Sequence, residues 1–156
     1  LKTKKTIGRI DKLDLPELGL VKVQAKIDTG AYTSAIHCSK IHIEKAKDDT
    51  EFLVYSISGK RLGQGMKAKK FKTADFKLKR IKSSNGQVQE RYVIKTKIKI
   101  FNKIYNTEFS LSDRSHMKNP ILLGRKLLSG RFVVDVTEEN LSYQYHQKQQ
   151  NNKNVQ

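Results

Sequence analysis

Asp28-Thr29-Gly30, within the stretch KIDTGAYTSAIH at residues 26 to 37, puts a carboxylate and a glycine at the end of an alternating apolar run. Val21, Val23, Ala25 and Ile27 recur at period two, so a strand delivers Asp28 into a loop. Two accounts of Asp28 compete. Asp and Gly make ordinary turns, because Asp bonds its own backbone and Gly accepts positive φ. In the other account Asp28 is half of a proton-sharing carboxylate pair. Two carboxylates around one water cannot both ionise, so one acts as base while its neighbour donates. The chain carries one such motif. Its second aspartate would have to come from an identical subunit across a two-fold axis.

The other chemistry-bearing residues have weaker claims. His37, Cys38 and His42 cluster in sequence. However, adjacent residues on a strand face opposite ways, so packing explains His37 and Cys38 better than a shared metal. Neither His-Glu-x-x-His nor Cys-x-x-Cys occurs, and no Gly-rich loop ends in Lys-Ser/Thr, so neither zinc nor ATP is expected. The LGQGMK stretch, residues 62 to 67, reads as a loop. Cys38 as a nucleophile would need an electropositive pocket with a base beside it. Arg125 is expected to pair with an acid inside the subunit or across a dimer. Asp113 and Arg114 fit turn bonds or a salt bridge, and Asp135 a solvated face.

The elements that must position these residues are strands. RYVIKTKIKIF sets Tyr92, Ile94, Thr96, Ile98 and Ile100 on one face, against Lys95, Lys97 and Lys99. Asn85-Gly86 is a strong hairpin signal, with FKLKRIK and QVQERYVI as arms. A turn is expected around Pro16 and Gly19 and another at Asn102-Lys103. RFVVDV is one more strand, with NLSYQY as its candidate partner. Only GRKLL, before Gly130, fits a short helix. Residues 147–156, QKQQNNKNVQ, have the composition of a disordered polar tail. That leaves 1–146 as a single all-β domain, a closed or partly open barrel with one short helix.

Taken in order, DTGA at 28–31, the Asn85-Gly86 hairpin and PILLGRKLL at 120–128 resemble the retropepsin-like aspartic peptidases. In narrower detail the chain resembles, from about Ile7 to Tyr145, a bacterial family catalogued as ATP-dependent zinc proteases. The resemblance implies that Asp28, Thr29 and Gly30 are catalytic, with Thr29 bonding across to a partner loop. It implies that Ala31, Ser84, Asn85 and Gly86 contact substrate beneath a flap, and that Leu123, Gly124 and Arg125 support the catalytic loop from below. No metal or cofactor is assigned. Three departures stand out: a flap with one glycine, a longer middle segment, and Lys126 where the family usually has Asn or Asp.

The charge bears on substrate. Lys plus Arg number 32 against 15 Asp plus Glu, a formal +17. Such a field draws polyanions. Members of the resembled family are fused to, or encoded near, RimK-type ATP-grasp ligases that add glutamate, so both lines point to acidic, glutamate-rich peptides. The expected function is therefore an aspartic peptidase acting as a homodimer, with a functional link to such a ligase. A catalytically inactive module that recognises an acidic partner is the alternative. A nucleic-acid binder is disfavoured by the lack of Trp and by 8% aromatics without a stacking motif. No apolar run approaches the ~20 residues of a membrane span. One cysteine fits a reducing compartment, hence a cytoplasmic location unless a signal peptide has been removed.

Overall fold

Period-two alternation decides the architecture. A computed structural model describes residues 3–59, 67–82, 85–113 and 118–155, and most of them are strand. The strands are β1 Lys5–Ile7, β2 Ile10–Leu15, β3 Leu20–Ile27, β4 Ser34–His37, β5 Ser39–Lys45 and β6 Glu51–Ile57. They continue as β7 Lys69–Thr73, β8 Lys77–Lys82, β9 Val88–Ile100, β10 Lys103–Ser112, β11 Ile121–Leu123 and β12 Phe132–Val134. Two helices follow the later strands, α1 Arg125–Leu128 and α2 Leu141–Asn154.

The main sheet runs β10-β4-β11-β3-β2-β9-β8, and a further β9–β10 pairing closes it into a ring. Inside the ring, Val23, Ala25, Ile27, Ile94, Ile98, Ile100, Phe109 and Ile121 are buried. These are the alternate positions of their strands, which is why each strand reads apolar on one face and lysine-rich on the other. A second sheet, β5-β6-β7, packs Tyr55 on Phe71 with ring centroids 5.1 Å apart. β1 pairs in parallel with β12.

β11 runs parallel to β3, with Leu123 opposite Ile27, and antiparallel to β4, with Ile121 opposite Ile36. It therefore separates the strand entering the Asp28 loop from the strand leaving it. The expected hairpin is present, β8 pairing β9 from Lys77↔Val93 to Lys82↔Val88. The loop expected at residues 62 to 67 falls largely outside the described residues, as does Arg114.

Three expectations are corrected. The tight turn after β9 is centred on Phe101 and Asn102, with φ of 50° and 61°, and Lys103 already belongs to β10. Two left-handed residues make the turn whose twist matches an antiparallel pair. Phe101 is held there because its ring is buried near Phe132 and Tyr145. NLSYQY is not a strand, since β1 takes the place beside β12 and residues 141–154 are helix. That helix also carries most of the segment whose composition suggests a disordered tail.

The polar helix α2 is held at its start by Asp11, which is fully buried. The carboxylate accepts the N–H of Ser142 at 2.9 Å and of Tyr143 at 3.1 Å. These are donors that the first helical turn leaves without partners, and a negative charge there suits the helix dipole. Burial pushes the Asp11 carboxyl above its ordinary value, and these N–H bonds pull it partway back. Ser142 Oγ in turn accepts the N–H of Phe101 at 2.8 Å.

Candidate active site

Asp28 follows β3 directly, and its N–H donates to Leu123 O at 2.9 Å. Its Oδ1 accepts the N–H of Gly30 at 3.0 Å, so Asp28 does form a local turn as well. The carboxylate is partly exposed, while Thr29 and Gly30 are exposed. A Cβ on Gly30 would lie 3.3 Å from Asp28 Oδ1, tight but without a left-handed φ. Within a single chain, then, Gly30 gives the carboxylate clearance rather than relief of backbone strain.

The loop is fastened from below by the segment after β11. Arg125 N–H donates to Ala31 O at 2.8 Å and Lys126 N–H to Tyr32 O at 2.9 Å. The Arg125 guanidinium donates to Thr29 O at 2.9 Å and lies 5.9 Å from the Tyr32 ring centroid. Among the described ion pairs it has no acidic partner within the chain, so of the two expected partners the one inside the subunit is not found. The fork-shaped guanidinium holds the catalytic-type loop by its backbone instead. Gly124 has a role that spacing alone does not reveal. A Cβ there would sit 2.6 Å from Tyr32 O and 2.9 Å from Ala31 O. Leu123 is fully buried.

Above Asp28, a cleft of about 70 Å³ lies between Ala31 and Tyr32 on one side and Ile81, Lys82 and Arg91 of the hairpin on the other. The hairpin arms thus cover the loop. Asn85 Oδ1 accepts the Gln87 N–H at 3.2 Å, and Gly86 takes φ of 86° at the exposed tip. Ser84 lies outside the described residues. The structure therefore brings Asp28 and Ala31 together with the hairpin arms and sets Leu123, Gly124 and Arg125 beneath them.

Glu108, on β10, was not singled out by any motif. It accepts Lys79 Nζ from the hairpin arm at 2.9 Å and Lys126 Nζ from α1 at 3.3 Å. Lys79, then Lys126, hold its carboxyl below the usual range. Its sequence signal is a lone acid in IYNTEFSLS beside two lysine-rich strands. Lys126, a departure from the resembled pattern, finds its partner here.

Cys38 is buried, and desolvation pushes its thiol up to about 12. A thiol in that state is a poor nucleophile. His42 is engaged by Lys40 O at 2.7 Å and Glu44 Oε1 at 3.2 Å. No cluster of three or more His, Cys, Asp or Glu side chains suited to a metal occurs among the described residues. Asp135 is not simply solvated, since its Oδ1 accepts Thr137 N–H at 2.9 Å and Thr137 Oγ1 at 2.6 Å. No described helix is long and apolar enough to cross a membrane.

The chain is similar to known proteins in sequence and in fold. Residues 6–144 match the model of the RimB-like family, described as retropepsin-like aspartic endopeptidase RimB. A probable alpha-L-glutamate ligase of Desulfotalea psychrophila is 32% identical over 132 residues, covering 85% of this chain and 28% of the relative. One from Shewanella halifaxensis is 31% identical over 137 residues, again 85% and 28%. The chain thus spans under a third of the length of these curated relatives. A crystal structure of a Legionella pneumophila protein of unknown function superposes with a TM-score of 0.68 at 20% identity, over 90% of this chain and 99% of that one. The match across residues 6–144, with Asp28 on its fastened loop beneath a hairpin, places the chain in the RimB-like family of retropepsin-like aspartic endopeptidases.

Proposed function

We propose that the protein is an aspartic peptidase whose site forms when two chains bring their Asp28 loops together, and that it cleaves acidic peptides. One observation carries this: a partly exposed Asp28, on a loop fastened at Leu123, Arg125 and Lys126, faces a cleft bordered by Lys82 and Arg91. Such a cleft suits a substrate rich in carboxylates. The relatives' name supports glutamate as the side chain, because a module matching part of a glutamate ligase would meet glutamate polymers. On this reading residues 1–146 act as one peptidase domain.

In the mechanism, one Asp28 carboxylate takes a proton from a water held between the pair. The water oxygen bonds to the peptide carbonyl carbon, and the protonated partner carboxyl donates to the carbonyl oxygen. The C–N bond then breaks as the nitrogen receives a proton, leaving a free acid and a free amine, and the pair returns to its singly protonated state. Thr29 is exposed, as a bond to the partner loop requires. Asn85 and Gly86 sit on the hairpin tip that would close over the substrate.

The 70 Å³ cleft favours a second reading, since one chain alone has no room for a peptide backbone. In that reading the domain holds an acidic partner on its surface without cutting it. Incubating a poly-α-glutamate peptide with wild type and with Asp28→Asn, followed by mass spectrometry, separates the two. Cleavage by wild type alone supports the peptidase. Binding without cleavage by either protein supports the holding module.

A further inference from the structure

The loop that begins at Asp28 leaves β3 and returns as β4, and β11 runs between those two strands. One peptide unit at the end of β11, Leu123–Gly124, touches both ends of the loop. Its carbonyl oxygen accepts the Asp28 N–H at 2.9 Å, and its N–H donates to Ser34 Oγ at 3.1 Å. A trans peptide points its C=O and N–H in opposite directions. A single plane therefore spans the gap from the Asp28 backbone to the Ser34 hydroxyl.

Ser34 stands where a ladder gives way to a side chain. β4 and β11 pair Ile36 with Ile121 and Ala35 with Leu122, and the register stops there. Past the last pair, the Gly124 N–H finds Ser34 Oγ rather than a carbonyl of β4. Ser34 is 2% exposed, and its own carbonyl accepts the Ser110 hydroxyl from β10 at 3.3 Å. A donor so placed has no bulk water to turn to when its acceptor is removed. The effect also passes through the peptide, because a bond made by the N–H polarises the unit and strengthens its carbonyl as an acceptor. Losing the hydroxyl thus weakens the bond to Asp28 and frees the plane to turn.

We propose that Ser34 is a positioning residue for the Asp28 carboxylate, acting through the Leu123–Gly124 peptide, an assignment that rests on the peptidase reading of Asp28. The chain of contacts is short. Ser34 Oγ holds the peptide plane, the plane's oxygen holds the Asp28 N–H, and Asp28 Oδ1 is turned by the Gly30 N–H at 3.0 Å. The N–H groups of Arg125 and Lys126 hold Ala31 O and Tyr32 O, past Gly30, and leave the Asp28 end to this one peptide. In a site built from two Asp28 loops any shift enters twice, once from each chain. A misplacement on the order of 1 Å can cost about a hundredfold in rate.

Ser34→Ala removes the acceptor, whereas Ser34→Thr keeps the hydroxyl. Ser34 borders a cavity of about 490 Å³, which leaves room for the added methyl. Backbone NMR of the full chain should show the Gly124 and Asp28 amide protons moving upfield together in Ser34→Ala. Asp28 amide exchange should accelerate about tenfold, with that of Tyr55 in the second sheet unchanged. Cleavage of a poly-α-glutamate peptide should lose about tenfold in kcat, with KM held within about twofold. Ser34→Thr should recover both readings. Where Ser34→Ala fails to fold, Ser34→Cys, close in size and a weak acceptor, should shift the same readings in the same direction. A lowered urea midpoint with the Asp28 amide and kcat at wild-type values would make Ser34 merely structural and overturn the proposal. So would a raised KM at unchanged kcat, or no recovery in Ser34→Thr. If wild type itself cuts nothing, the peptidase reading fails separately and the amide readings decide. Gly124 and Asp28 moving together would uphold the coupling, and Asp28 unmoved would overturn it.

Discussion

Gly124→Ala isolates the contact that holds the Asp28 loop. Gly124 has φ of −98° and ψ of 177°, extended backbone that alanine adopts freely, so conformational strain is not at issue. The collision is steric: the new Cβ would lie 2.6 Å from Tyr32 O, 2.8 Å from Tyr32 C and 2.9 Å from Ala31 O. All three are backbone atoms, which cannot rotate aside as a side chain can. Pushing them away lengthens the Arg125 N–H to Ala31 O bond of 2.8 Å and the Lys126 N–H to Tyr32 O bond of 2.9 Å. Two weakened bonds at roughly 0.5–1.5 kcal/mol each, with overpacking of about 1–3 kcal/mol, give a loss on the order of 2–6 kcal/mol. Gly86→Ala is the control. Its Cβ meets nothing within 4 Å, but φ of 86° makes alanine strained by about 1 kcal/mol. Urea denaturation should show Gly124→Ala as the larger loss, with unchanged m-value. A cost below about 1 kcal/mol, or one no greater than that of Gly86→Ala, would refute the reasoning.

Three further outcomes are expected. Glu108→Gln should cost about 1 kcal/mol in all, because Lys79 and Lys126 are 39% and 48% exposed and water screens both pairs. Its folded carboxyl is lowered, so the stabilisation is present above the ordinary value of 4.5 and lost as pH falls through the lowered one; the gap between wild type and variant in urea midpoints should close in acid. Asp11→Ala strands the N–H groups of Ser142 and Tyr143 at a buried site and should cost roughly 2–4 kcal/mol, with amide exchange accelerated at the start of α2. Cys38, with its thiol pushed up to about 12, should resist alkylation at pH 8 in the folded protein and react promptly in urea.

What the sequence made legible follows from period and local chemistry. Val21 to Ile27, Tyr92 to Ile100 and the Asn85-Gly86 hairpin declare themselves because strands alternate and left-handed turns need particular residues. The adjacency of Asp28 to Leu123 was available only through resemblance, since parallel pairing of β3 with β11 joins segments far apart in the chain. Helix α2 was illegible for a different reason. It lacks an apolar stripe, and its anchor is Asp11, 131 residues before Ser142. The Phe101 turn hid because a left-handed phenylalanine is tolerated only where its ring finds a buried place. Arg125 was expected to seek a carboxylate within its subunit or across a dimer, yet within the chain its guanidinium bonds a backbone carbonyl. Charge type predicts that an arginine will be bonded, not by what.

The central claim is that two Asp28 carboxylates make one site. Mixing wild type with Asp28→Asn in equal amounts, allowing subunits to exchange, and measuring cleavage of a poly-α-glutamate peptide tests it directly. If each site needs an aspartate from both chains, random pairing leaves about a quarter of the dimers competent, so activity at fixed total protein should fall to about a quarter of the wild-type value. Activity of about a half would mean that each chain works with its own Asp28 alone, and would contradict the shared pair.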